Sequence, residues 1–393
     1  MAGSGYFEFV CPVKIVSGRK ALPNLPYELE RLGSSRPFII TDQGVCDAGL
    51  MRRLHTVLTE AGVITGEVFD GTPVDSGRKV VNRAAEAYRK GGCDGIIALG
   101  GGSVIDTAKG VNIVVSEGVD DIMERRGADN MTAQFRPLIA IPTTSGTGSE
   151  VTPVAVILNE DAGVKMAFIS ARLFPSVAII DPSMLVSMSP LLTAATGMDA
   201  ITHAIEGYIC LQKNPVSDTF CVSGLRMLRR WIVEAVERGG NEETRLHMAT
   251  GAMVAGMGFG NSMVGSVHAL AHACGGVARV PHGVANSIML PHVLEYNMRK
   301  SARYLAELAP ELCDVDTGGL TTGEKAEAAV EAVMRLTAAL HERTGIPMRL
   351  RDAGVQEGQL EKIAGVSIND GAVTYNPEEM GLDDALMLLR QAF

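Results

Sequence analysis

The sequence predicts an α/β fold: an N-terminal domain with a Rossmann-like parallel sheet over residues 1–188, then an all-helical C-terminal domain over 189–393. Three observations carry this. Short apolar runs alternate with amphipathic stretches through the first half, small-residue turns follow two of those runs, and beyond about Ser189 the strand-like runs stop.

Each element has its own signal. Residues 37–42 read as a buried strand, and 47–61 carry helical spacing. A second strand is expected over 62–69 and a helix over 77–90, closing at Gly91-Gly92. The run 94–99 is a third strand, leading into Gly100-Gly101-Gly102, with Ser103 as N-cap of a helix over 104–116. Leu138–Pro142 is a further strand. This rhythm predicts helices on both sheet faces and ligands at the carboxyl ends of the strands. The composition shifts between Asp181 and Pro190, and 191–212, 215–238, 242–259, 262–277 and 324–343 read as helices. Residues 314–323 are expected to be an exposed loop between helices, not a calcium site.

At 393 residues the chain exceeds one comfortable core, and 46% hydrophobic against 20% charged residues fits a globular enzyme. A net charge of −10 argues against nucleic acid or an anionic membrane as the main partner. The seven cysteines are scattered, with no disulfide framework or zinc-ribbon spacing, so a reducing, cytoplasmic setting is expected. The start of the sequence lacks signal-peptide character, and no run approaches the roughly 20 apolar residues of a membrane span.

Two glycine-rich segments point to a phosphate-bearing cofactor. Gly100, Gly101, Gly102 and Ser103 lie between strand and helix, where backbone amides and the helix N-terminus favour an anion; Asp106, Thr107 and Lys109 follow. The pattern is neither the GxGxxG fingerprint nor a P-loop. A second loop, 142–150, carries Thr143, Thr144 and Thr147 after another strand. Asp42 ends its strand either as a ribose-binding carboxylate, which would favour NAD over NADP, or as a helix cap.

The C-terminal half supplies metal ligands. Asp199 and His203 are four residues apart on a predicted helix, as are His268 and His272, while His282 follows Pro281 where a loop could close the sphere. One carboxylate and three imidazoles suit a divalent first-row metal, with Asp199, His203, His268 and His282 as ligands. His272 is then left to support the ligands from behind or to transfer a proton. His55, His247, His292 and His341 are expected to be surface or packing residues.

The run Gly100–Lys109, together with 142–156, 197–208 and 265–283, is similar to the signatures of the iron-containing (group III) alcohol dehydrogenases. The resemblance covers nearly the whole chain. It implies the dehydroquinate synthase-like fold, with a nucleotide domain and a helical metal domain, NAD(H), Fe2+ and a homodimer or larger assembly. Zinc, nickel or manganese would suit the same ligands. The resemblance places the metal on Asp199, His203, His268 and His282, phosphate contacts on Gly101, Gly102 and Ser103, and further cofactor contacts on Thr143, Thr144, Thr152 and Lys165. Substrate-pocket positions fall on Val154, Val156, Phe259 and Ala372. The chain departs from the family at 71–74, which lacks an Asn-Pro pair, and at Ala372-Val373, where Cys-Thr is common. Apolar pocket residues imply a small aliphatic primary alcohol or aldehyde; a diol or hydroxyacid substrate, or a dehydroquinate synthase-like lyase, is the alternative. A non-catalytic metal- or nucleotide-binding protein is the rival from another class.

Overall fold

The computed structural model describes residues 6–393, and these form two compact units. One contains 10–188 together with 240–249; the other contains 6–9, 189–239 and 250–393.

The first unit is built on a six-stranded, fully parallel sheet. Its strands are β1 (Lys14–Ser17), β2 (Pro37–Ile40), β3 (Val68–Phe69), β4 (Gly95–Gly100), β6 (Leu138–Pro142) and β9 (Val177–Ile180), in the order β1-β9-β6-β4-β2-β3. The central strands are buried on both faces, which explains their continuous apolar runs. Alternate residues serve different cores. Phe38, Ile40, Ile96 and Ala98 pack with α4 (Arg78–Lys90) and α5 (Gly102–Glu117), whereas Ile39, Ile97 and Leu99 pack with α1 (Leu25–Arg31) and α3 (Leu50–Glu60). Helices on both faces are therefore as expected.

From β2 the chain runs outward to β3, then crosses back to β4 and on to β6 and β9. The order reverses between β2 and β4, so a topological switch point opens at their carboxyl ends. Asp42 follows β2 there, and Gly101 follows β4. The register Gly100↔Pro142 brings Thr143 to the same end.

Several local expectations change. Only Val68–Phe69 of 62–69 is strand. The helix expected over 47–61 divides into α2 (Gln43–Asp47) and α3, because Gly49 between them takes a left-handed φ of 75°. A hairpin of β7 (Val154–Asn159) and β8 (Val164–Ile169), with β5 (Gly127–Ala128) pairing to β8, forms a separate three-stranded sheet. Its turn around Asp161 and Gly163, flanked by alternating apolar residues, was the available signal.

The second unit is helical: α6 (Pro190–Ile209), α7 (Pro215–Glu237), α9 (Ser266–Ala278), α10 (His282–Leu312), α11 (Thr322–Thr344), α12 (Leu360–Ser367) and α13 (Leu382–Gln391), with the later part of α8 (Glu242–Phe259). Ser189 caps α6 through the Leu192 amide, and Pro190 occupies the first turn. The largest correction is α10. His282 is not in a loop but is the first residue of a 31-residue helix that contains Pro291 and Pro310. A helix-interior proline costs about 3 kcal/mol; here Leu290, Val293, Leu294, Leu305 and Leu308, all fully buried, outweigh it. No helix of the described residues is long and apolar enough to cross a membrane.

Candidate functional site

In the helical unit, α6 presents Asp199, His203 and Glu206 at i, i+4 and i+7, a single helix face. Helix α9 brings His268 and His272, and α10 opens with His282. Asp199, His268 and His282 each offer one ligand atom, all within 4.8 Å of one another. The Asp199 Oδ1 atom lies 3.4 Å from His282 Nε2 and 3.7 Å from His268 Nε2. Two ligands bound to one ion at about 2.1 Å and at the tetrahedral angle stand about 3.4 Å apart, so these groups fit a first-row divalent metal. The Asn286 side chain makes the same point. Its Nδ2 lies 2.6 Å from Asp199 Oδ1, 3.1 Å from His282 Nε2 and 3.4 Å from His268 Nε2. A donor thus sits where three acceptors converge, while the buried Asn286 Oδ1 lacks a hydrogen-bond partner.

His203 lies beside this group. Its ring stacks on Phe259, with centroids 4.0 Å apart, and on His268 at 4.5 Å. His272 stacks on His282 and pairs through Nδ1 with Asp370 Oδ2 at 2.8 Å. Burial raises the Asp370 pKa, but the charge and hydrogen bond of His272 outweigh it and hold the carboxyl below its ordinary value. His268 is fully enclosed. Burial pushes its imidazole pKa down, and the Glu206 hydrogen bond and charge more than reverse that, leaving it raised. Of the expected pocket residues, Phe259 covers the His203 ring and Ala372 donates its amide to Asp370.

The first unit holds the expected cofactor residues. Gly102 packs so tightly on the second loop that a Cβ there would meet Thr147 Cγ2 at 2.6 Å. Gly101 and Gly102 thus serve the contact between the two loops, whereas Gly100 packs against Val104 at the start of α5. Ser103 is not the N-cap; Gly101 takes that place, and the Ser103 hydroxyl accepts the Asp75 amide at 3.1 Å. Thr143 donates its amide to the Gly100 carbonyl, and Thr144 packs on Gly101. Asp106 is half-buried and accepts from Ser149 Oγ at 2.6 Å and from the Val156 amide at 3.0 Å. Thr152 is engaged by Lys109, whose ammonium donates to the Thr152 and Val154 carbonyls at 2.9 and 2.7 Å. These two expected cofactor residues therefore lie in a buried network that ties the second loop to α5. Burial pushes Lys109 down to about 8, against the pull of Asp106 and Glu150. Lys165 pairs with Asp75 at 2.7 Å, Asp42 caps α2 through Oδ1 to the Val45 amide, and Val154 and Val156 lie half-buried on β7.

Comparison with known proteins assigns these features to a family. One model, described as iron-containing alcohol dehydrogenase, matches residues 12–182, and a second, Fe-containing alcohol dehydrogenase family, C-terminal, matches 193–393. The chain belongs to the iron-containing alcohol dehydrogenase family. The 1,3-propanediol dehydrogenase of Citrobacter freundii is 37% identical over 390 residues, covering 98% of this chain and 99% of the relative. The NAD-dependent methanol dehydrogenase of Bacillus methanolicus is 33% identical over 98% of this chain and 99% of its own. The crystal structure of a 1,3-propanediol oxidoreductase superimposes with a TM-score of 0.94 at 35% identity, over 99% of this chain and all of the other. The enzyme is thus an NAD(H)-linked oxidoreductase of alcohols and aldehydes, with Fe2+ as the family's metal.

Glu206, Asn286 and Asp370 escaped the sequence reading. Glu206 had a usable signal, the i, i+4, i+7 face of α6, and Asn286 lies four residues after His282. Asp370 is 98 residues from its partner, and nothing local marks it.

Proposed function

We propose that this family member interconverts a small, aliphatic primary alcohol and its aldehyde, with Fe2+ held by Asp199, His268 and His282 and with His203 as fourth ligand. The convergence of Asp199 Oδ1, His268 Nε2 and His282 Nε2 carries the reading. His203 joins the set by its i+4 relation to Asp199 and its stacking on His268. NAD(H) is assigned to Asp42, Gly100–Ser103, Thr143, Thr144, Thr147 and Lys165, with Asp106 and Thr152 shaping the second loop from within. The unit centred on the parallel sheet is accordingly the cofactor domain and the helical unit the metal domain.

When bound, the ion supplies Lewis acidity to the substrate oxygen and the nicotinamide supplies the hydride chemistry. The protein's side chains orient these groups and handle the proton. Asp370 accepts from His272 Nδ1–H, which fixes the tautomer and leaves Nε2 as the atom that takes or returns a proton. The expected pocket residues Val154, Val156, Phe259 and Ala372 are all apolar, and this favours unsubstituted alkyl chains. A diol is the second reading, favoured by the 37% identity to a 1,3-propanediol dehydrogenase.

We infer a homodimer or larger assembly, supported by β1, which lies at the sheet edge with β9 as its only partner among the described residues. A cytoplasmic setting is supported by seven free cysteines. The deciding experiment measures NADH formation by the Fe2+-loaded enzyme with straight-chain alcohols of two to eight carbons and with 1,3-propanediol. Stoichiometric NADH, highest with the simple alcohols, is expected. Preference for the diol transfers the assignment to the second reading, and no NADH with any of them overturns the proposal.

A further inference from the structure

Glu206 is a buried carboxylate on α6, 1% exposed, and is not among the expected ligands. Its Oε1 accepts the Val267 amide at 2.8 Å, and its Oε2 meets His268 Nδ1 at 2.6 Å. We propose that Glu206 is the positioning residue that fixes the tautomer of His268 and so sets the affinity of the metal centre. This rests on the reading that Asp199, His268 and His282 hold the ion.

The argument is one of donors and acceptors. Val267 lies in the first turn of α9, where backbone amides have no acceptor within the helix. An N–H can only donate, so Oε1 is committed as an acceptor. A carboxylate has acceptors at both oxygens. Oε2 therefore takes the proton on His268 Nδ1, and the neutral ring presents a lone pair at Nε2. That is the atom 3.7 Å from Asp199 Oδ1, on the side where the three ligand atoms converge. The position suits a negative group, because the positive end of the α9 dipole faces it. Gly265 at the start of α9 makes room, since a Cβ there would lie 3.0 Å from Glu206 Oε1 and 2.7 Å from Asn376 Oδ1.

Glutamine separates this role from simple helix capping. In Glu206→Gln the amide oxygen can still accept the Val267 N–H, which preserves the cap. The NH2 group then faces His268 Nδ1, which must become an acceptor, and the proton moves to Nε2, the atom the metal needs. Flipping the amide restores the histidine contact only by opposing its NH2 to the Val267 N–H. No orientation serves both partners.

The test uses the full-length enzyme, stripped of metal and titrated with Zn2+ against a competing chelator. Glu206→Gln should bind Zn2+ about 10–100-fold more weakly, the range expected for losing such an outer partner, while the metal-free melting temperature stays the same. Equal Zn2+ affinity in wild type and Glu206→Gln overturns the proposal and leaves the metal-site reading standing. Failure of the wild type to bind Zn2+ overturns both. Nitrogen NMR of histidine-labelled, Zn2+-loaded wild type provides a check that needs no variant. His268 should carry its proton on Nδ1 and the metal on Nε2; coordination through Nδ1, or a protonated Nε2, overturns the proposal.

Discussion

Asp42 shows how one side chain can answer to two demands. Its Oδ1 caps α2, and its place beyond β2 is the switch-point position where a carboxylate would meet an adenosine ribose. Substituting Gly isolates the second role, because glycine is a tolerated cap that costs only a few tenths of a kcal/mol. Asp42→Gly should leave the melting temperature nearly unchanged and lower the NAD/NADP preference in kcat/KM by about tenfold or more, through lost repulsion of a 2′-phosphate. An unchanged preference would remove Asp42 from cofactor selection. At this scale the sequence was readable wherever spacing was local. Asp199 and His203, and His268 and His272, stood out because i, i+4 pairs of ligating residues sit among small and apolar neighbours. The partners that orient them come from other helices, and pairing at a distance leaves no trace in periodicity.

Among elements, the second glycine-rich loop and α5 are fastened to one another from inside. Lys109 and Glu150 are buried, and Asp106 half-buried, around Ser149 and Thr152. Burial raises Glu150 to about 7, from an ordinary 4.5, with Lys109 opposing. A carboxyl whose folded pKa exceeds its unfolded value loses stability as pH rises from the unfolded value to the folded one. The penalty is absent below about 4.5, complete above about 7, and on the order of 3 kcal/mol. Lys109 acts at higher pH, where the cost of its burial fades from about 8 up to 10.5. Thermal melting of Glu150→Gln should therefore gain on the wild type between pH 5 and pH 8. A difference that stays constant over that range would refute the buried, proton-dependent role. The hairpin β7–β8 and helix α10 mark the limit of sequence reading for elements. The strands of the hairpin follow directly on a glycine-rich loop that masks their alternation, and Pro281, Pro291 and Pro310 look like stops to α10. Packing along its length overrides that local preference.

On the scale of the molecule, the ligand residues tie α6, α9 and the start of α10 together although they lie far apart in sequence. An ion that binds the folded form alone, at 100 times its dissociation constant, adds about 2.7 kcal/mol of stability. Chelation should lower the melting temperature and speed amide exchange chiefly in those three helices. Equal exchange there with and without metal would show that the ion binds elsewhere. The domain order was visible in the composition shift near Ser189, but the inclusion of 240–249 in the first unit was not. Within that segment Arg245 donates to the Met188 carbonyl at 2.8 Å, across 57 residues of chain. The amide of Asn286 has a broader consequence. By offering a neutral proton donor to lone pairs that would otherwise crowd one another, it satisfies the three converging acceptors from within the protein.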